Sequence, residues 1–109
     1  MKPEYQYAGR PTETVELTST DVAQSFAAAQ FRLNGGNAIA VLLTCETAGI
    51  RFCFGGAVPI ADTFGHVLAT GGSYRISNSN AIQSFQFVSA VAQTPSTIFA
   101  TFEFEPGDG

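Results

Sequence analysis

GIRFCFGGAVPIADTFGHVLATGGSYRISNSNAIQSFQF, residues 49–87, alternates short runs of apolar and polar side chains with glycine-rich turns. In Ile50-Arg51-Phe52-Cys53-Phe54, Ser73-Tyr74-Arg75-Ile76 and Phe85-Gln86-Phe87, every second side chain falls on one face. That is the period of a half-buried strand, and the intervening glycines punctuate an all-β chain. Residues 57–64 form an apolar but irregular loop around Pro59, which closes on Gly65-His66-Val67-Leu68. No strand–glycine–nucleophile–helix elbow occurs in it, so the stretch describes a scaffold.

The same rhythm extends in both directions. Residues 13–19 alternate, with Val15 and Leu17 on one face and Thr14, Glu16 and Thr18 on the other. Residues 38–45 (AIAVLLTC) are almost wholly apolar, as expected of a central strand covered on both faces. They turn through Glu46-Thr47-Ala48-Gly49 into residues 50–54, and the two runs are expected to pair as a hairpin. Residues 66–69, 73–77, 82–89 and 97–105 complete the set. In the last, Ile98, Ala100, Phe102 and Phe104 face one way, and Phe99, Thr101, Glu103 and Glu105 the other. Asp21 and Gln24 have capping-box spacing, which suggests a helix or turn at residues 20–23. Residues 24–33 fit either a helix or an edge strand. The expected fold is an all-β, jelly-roll-like antiparallel sandwich of seven or eight short strands, with at most one short helix near residues 20–33. Residues 1–12, with two prolines and the pair Tyr5/Tyr7, read as an extended arm; residues 13–105 form the domain and 106–109 a disordered tail.

With 109 residues the chain is long enough for one domain and one modest core. Charged residues are 13% of it, where about a quarter is usual, so its surface suits subunit contacts and a homo-oligomer is expected. The net charge is −4 and the only cations are Lys2, Arg10, Arg32, Arg51 and Arg75, which are dispersed; phosphate neutralisation and hence nucleic-acid binding are disfavoured. No apolar run approaches the ~18 residues of a membrane span, and the first residues lack the apolar core of a signal peptide.

In a hairpin of residues 38–45 with 50–54, Cys45 would oppose Ile50 and Cys53 would oppose Leu42, on opposite faces. A disulfide needs Cα atoms within about 7 Å, so both are expected as buried free thiols. With one histidine, neither a metal shell nor any other cofactor site is expected. His66 has Asp62 four residues away, but no paired acids or activated nucleophile accompany it, so a turn-closing role is expected and not an enzyme. Glu103 and Glu105 read as solvated. Arg51 and Arg75 sit at outward strand positions suited to edge salt bridges or an interface. Phe99, on the wetter face, asks for cover from a second layer or another subunit. Tyr5, Tyr7, Arg10, Arg51, Arg75 and Phe99 are therefore the candidate assembly residues.

Residues 38–43, Ile50-Arg51-Phe52, Gly56 with Pro59, Gly65-His66-Val67-Leu68, Gly72-Ser73 and residues 82–87 follow one another in a pattern that resembles small structural proteins of tailed-phage particles. Those sequences carry an Ala-Leu-Ile strand, an Ile-Arg-Tyr strand, a Gly-Thr-x-Pro loop, Gly-His-x-Leu and a Gly-Asp turn. The resemblance covers residues 38–104. It departs at residues 54–59, where Phe-Gly-Gly-Ala-Val-Pro replaces Asp-Gly-Thr-x-Pro, and at Gly72, where aspartate is frequent. What it implies is a virion protein assembled in the host cytoplasm, a capsid cement or decoration protein on a major capsid protein. Another virion part, such as a head–tail connector, tail or host-binding module, is the alternative, and a small jelly-roll enzyme or sugar-binding domain a distant one.

Overall fold

In the computed structural model, residues 10–33 and 36–105 are described. The expected positions of Tyr5 and Tyr7 in the arm, and the tail at 106–109, lie outside them. Among the described residues, ten strands and two short helices follow in the order β1 (Arg10–Thr18), β2 (Gln24–Ser25), α1 (Ala28–Phe31), β3 (Arg32–Leu33), β4 (Gly36–Asn37), β5 (Ala40–Glu46), β6 (Ile50–Cys53), β7 (His66–Leu68), β8 (Ser73–Ile76), α2 (Ser79–Ser84), β9 (Gln86–Ser89) and β10 (Thr97–Phe104). One four-stranded sheet runs β1-β10-β5-β8 and the other β2-β9-β6-β7, every neighbour antiparallel; β3 and β4 form a small separate hairpin. The chain crosses between the two sheets at almost every step, which is the wrapping of a jelly roll.

Alternation explains the core. Ile98, Ala100, Phe102 and Phe104 of β10 and Val41, Leu43 and Cys45 of β5 all point inward and are buried. Ile50 and Phe52 of β6 and Phe87 of β9 face them from the second sheet. Phenylalanine supplies the contact between layers. Phe26 stacks on Phe85 at 5.0 Å and meets Phe102 of the opposite sheet edge-on at 5.0 Å. Such offset and edge-to-face pairs satisfy the ring quadrupoles as well as burying area.

The structure corrects the expected hairpin of residues 38–45 with 50–54. β5 and β6 lie in different sheets, β5 between β10 and β8, and β6 between β9 and β7. The reason is a buried serine network at the connecting turn. The Ser96 hydroxyl lies within hydrogen-bond distance of the carbonyls of Ala48 (2.6 Å) and Glu46 (2.9 Å), which share its one proton, and the Ser96 amide donates to the Ser19 hydroxyl (2.8 Å). Ser19 bonds in turn to Ser89 at 2.8 Å. These bonds, together with positive φ at Thr47, hold the turn open across the sandwich. Both cysteines are nevertheless free and buried, as expected.

Two further local readings change. Residues 82–89 contain a helix before the strand, because Asn78 caps α2 by accepting from the Ala81 amide at 3.0 Å. Residues 24–33 are neither one helix nor one strand but β2, a single helical turn whose Gln30 side chain accepts from the Ala27 amide (2.8 Å), and β3. The Asp21 carboxylate caps no helix; it accepts from the Gln93 amide at 2.9 Å, and residues 20–23 are irregular with a bend at Asp21 and Val22.

The Cys45 thiol donates to the Ala69 carbonyl at 3.0 Å. Burial pushes this thiol above the ordinary range, an effect partly opposed by hydrogen bonds with the Gly72 and Gly71 backbone. A thiol whose pKa is raised on folding keeps its proton in the folded state where the unfolded chain has lost it. Stability therefore falls as pH rises past the unfolded thiol's value of about 8.5, by up to about 1.4 kcal/mol per pH unit until the folded pKa is reached. Denaturant unfolding in reductant between pH 7 and 10 is expected to show this extra alkaline decline in the native protein and not in Cys45→Ala.

Candidate functional site

The candidate site is the flank of the sandwich where β7 borders the second sheet, together with the loop that precedes it. Residues 54–65 lie across the outer face of that sheet and are pinned at both ends. The Gln86 side chain donates to the Ala57 carbonyl (3.4 Å), and the Asp62 amide donates to Ala90 (2.8 Å). Asp62 has φ 66°, and its carboxylate accepts from the Ala92 amide at 3.3 Å. Between these anchors Val88 and Pro59 are buried. At the loop's end Gly65 has φ +124°, and a Cβ there would press on the Phe52 backbone at 3.2 Å. Only glycine brings the chain in this close before β7 starts.

A loop held this firmly presents apolar groups to solvent. Val58, Ile60, Phe64 and, at the next strand, Val67 are each between 49% and 57% exposed. Ile60 and Phe64 are joined by reciprocal backbone bonds of 2.9 Å, so their side chains share one face. Beside Phe64 lies a pocket of about 500 Å³, lined by Cys53, Phe54, Ala57, Thr63, Phe64 and His66. Its lining is dominated by rings and methyls, with no carboxylate, ammonium or guanidinium among these residues.

His66 belongs to this flank as an aromatic. Its ring lies 5.4 Å from buried Phe52, which also meets Tyr74 at 5.0 Å and Phe54 at 5.7 Å. Phe52 thus supports a row of partly exposed rings along the open side between β7 and β8. Asp62, the nearest acid in sequence, turns its carboxylate to the Ala92 amide. No cluster of three histidine, cysteine or acidic side chains that could hold a metal occurs among the described residues. No helix among them is long and apolar enough to cross a membrane.

The four candidate assembly residues that lie among the described ones, Arg10, Arg51, Arg75 and Phe99, do not form one cluster. Arg10 opens β1 opposite Phe104. Phe99, on the outer face of the first sheet between Glu16 and Thr44, is half-buried. Arg51 lies opposite Val67 on the second sheet and donates from Nη1 to the Gly65 carbonyl at 3.1 Å, in place of an edge salt bridge. Arg75 does form an ion pair, but one inside the fold: both its terminal nitrogens reach the Glu103 carboxylate at 2.7 Å. The solvated Glu103 read from alternation is corrected here. Its side chain is 0% exposed, and β8 brings the Arg75 guanidinium across β5 to meet it. Glu105, two residues on, is exposed as expected.

Sequence reasoning missed Val58, Ile60 and Phe64 as a group. The available signal was an apolar loop that lacks the strand period, since such a loop must either be buried or be presented. No protein-family model, curated protein or solved structure matches the chain.

Proposed function

We propose that this protein works by docking on other protein subunits, specifically as a capsid cement or decoration protein of a tailed phage. The observation that carries the reading is a pinned loop and edge strand that leave Val58, Ile60, Phe64 and Val67 exposed, with Phe64 in the wall of an aromatic-lined pocket. Exposing apolar groups on an ordered loop costs solubility, and contiguous apolar surface rimmed by polar residues marks interaction sites. The jelly-roll topology and the phage-like motif order agree with this reading, although the fold alone hosts many functions. A cement protein stabilises a shell by mass action, because its contacts exist only on the assembled lattice.

The test is co-sedimentation with expanded, undecorated capsids. The native protein is expected to pellet saturably with the shells. An Ile60→Ser/Phe64→Ser variant is expected to bind at least ~10-fold more weakly, since apolar anchors at an interface centre are worth over ~1 kcal/mol each. Its thermal midpoint is expected to stay within a few degrees of the native value, because both side chains face solvent. Absence of co-sedimentation removes the cement reading. Mass-spectrometric detection of the protein in tail-only particles would move it to another part of the virion.

A further inference from the structure

We infer that the outer edge of β7 is a docking groove for an extended, apolar segment of a partner protein, which adds as a strand beside His66–Leu68 and places side chains in the adjoining pocket. The inference rests on the reading of the chain as an assembly protein and specifies how the contact is made.

Three observations meet at this edge. β7 ends its sheet, pairing with β6 alone. Beyond that pairing, no backbone hydrogen bond reaches His66 or Val67 among the described residues. In an antiparallel edge strand alternate residues turn their N–H and C=O outward, so the groups for another strand are in place. The pocket of about 500 Å³ starts at the same point, with His66 in its wall, and Val67 stands exposed one residue on. Backbone pairing at a sheet edge with adjacent pockets for alternate side chains is the geometry of strand addition.

The chemistry selects the occupant. The pocket wall offers Phe54 and Phe64 rings, the Ala57 methyl and the Cys53 thiol, and so takes an uncharged side chain. The charge beside it is cationic: Arg51, opposite Val67, keeps a buried Nε with no partner. A second copy of this chain fits less well. The exposed parts of Val58, Ile60, Phe64 and Val67 amount to roughly 400 Å², so a two-fold contact through them would bury about 800 Å², short of the ~1,200 Å² of a stable interface. An extended segment instead adds backbone hydrogen bonds and the pocket contact.

Selection of the full-length protein against a displayed library of random linear dodecapeptides tests this directly. Enriched clones are expected to alternate apolar and polar residues. The best clone, as a synthetic peptide, is expected to slow exchange of the outward-facing amides within residues 66–68 at least ~10-fold. N-methylation of that peptide at every second residue, and Val67→Asp in the protein, are each expected to weaken binding ~10-fold or more. Native-like circular dichroism of Val67→Asp is expected, since the side chain faces solvent. Failure to enrich any clone, protection that maps elsewhere, or indifference to N-methylation would overturn the inference. So would concentration-dependent dimers in sedimentation velocity that Val67→Asp disperses, since a second copy would then occupy the edge. Shell binding that persists when the peptide arm fails leaves the docking function standing and removes only this edge. Peptide binding without shell binding keeps the edge and removes the capsid.

Discussion

Phe85→Ala is expected to destabilise the protein by about 3–5 kcal/mol, the range for removing a buried phenyl ring and leaving a cavity. Phe85 is fully buried where α2 passes into β9. It stacks on Phe26 at 5.0 Å and touches Phe52 (5.5 Å), Phe54 (5.6 Å) and Phe87 (5.9 Å). Neighbouring rings are rigid and cannot collapse well into the void, which places the cost near the top of the range. Native domains have only about 5–15 kcal/mol in total, so the variant is expected to lose a large share of its stability. Urea unfolding followed by circular dichroism would read the difference. Phe85→Leu, which refills much of the volume, is expected to lose less than half as much. Because Phe52 and Phe54 also support the row of rings at the β7 flank, the alanine variant is further expected to weaken docking. The surface variants at Ile60 and Phe64 lack that coupling to stability.

Arg75→Ala is expected to cost about 3 kcal/mol. Breaking a buried ion pair from one side leaves an uncompensated charge, which typically costs about 3–5 kcal/mol. Here the group that loses its two-pronged partner is the fully buried Glu103 carboxylate, which keeps a further contact of its own, and the Arg75 side chain is 28% exposed, so the lower end applies. On a domain of this size that corresponds to a fall in thermal midpoint of roughly 12–24 °C. Arg75→Lys is not a rescue, because an ammonium cannot reproduce the two parallel 2.7 Å bonds of the guanidinium fork. It is expected to recover only part of the loss. Scanning calorimetry on the three proteins would order them native, lysine, alanine; equal midpoints for native and alanine would contradict the pair's structural role.

These expectations separate what the chain states locally from what it leaves to assembly. The strand period at Ile98, Ala100, Phe102 and Phe104 was legible, and all four are core. The same alternation put Glu103 on the other face correctly. It could not show that β8 would bring Arg75 across β5 to bury it. A period of two reports which face a residue takes and says nothing of what lies on that face. The candidate site was less legible still. Pro59 and the glycines announced a loop, but its value lies in Asp62, Ala57 and Gly65 being tied to partners up to some thirty residues away in sequence.

By itself the sequence determined an all-β domain and the inward residues of its long strands, because side-chain period and glycine turns are properties of neighbouring residues; the two thiols are free and buried as expected, but they sit on β5 and β6 in different sheets and not across the hairpin from which that was argued. Only the tertiary structure decided that residues 40–46 and 50–53 part into opposite sheets, that Glu103 is enclosed, and that Val58, Ile60 and Phe64 on the pinned loop and Val67 on the edge strand are left exposed. Each of these depends on which distant strand supplies the next hydrogen bond, and an apolar run offers the same backbone donors and acceptors to every candidate partner.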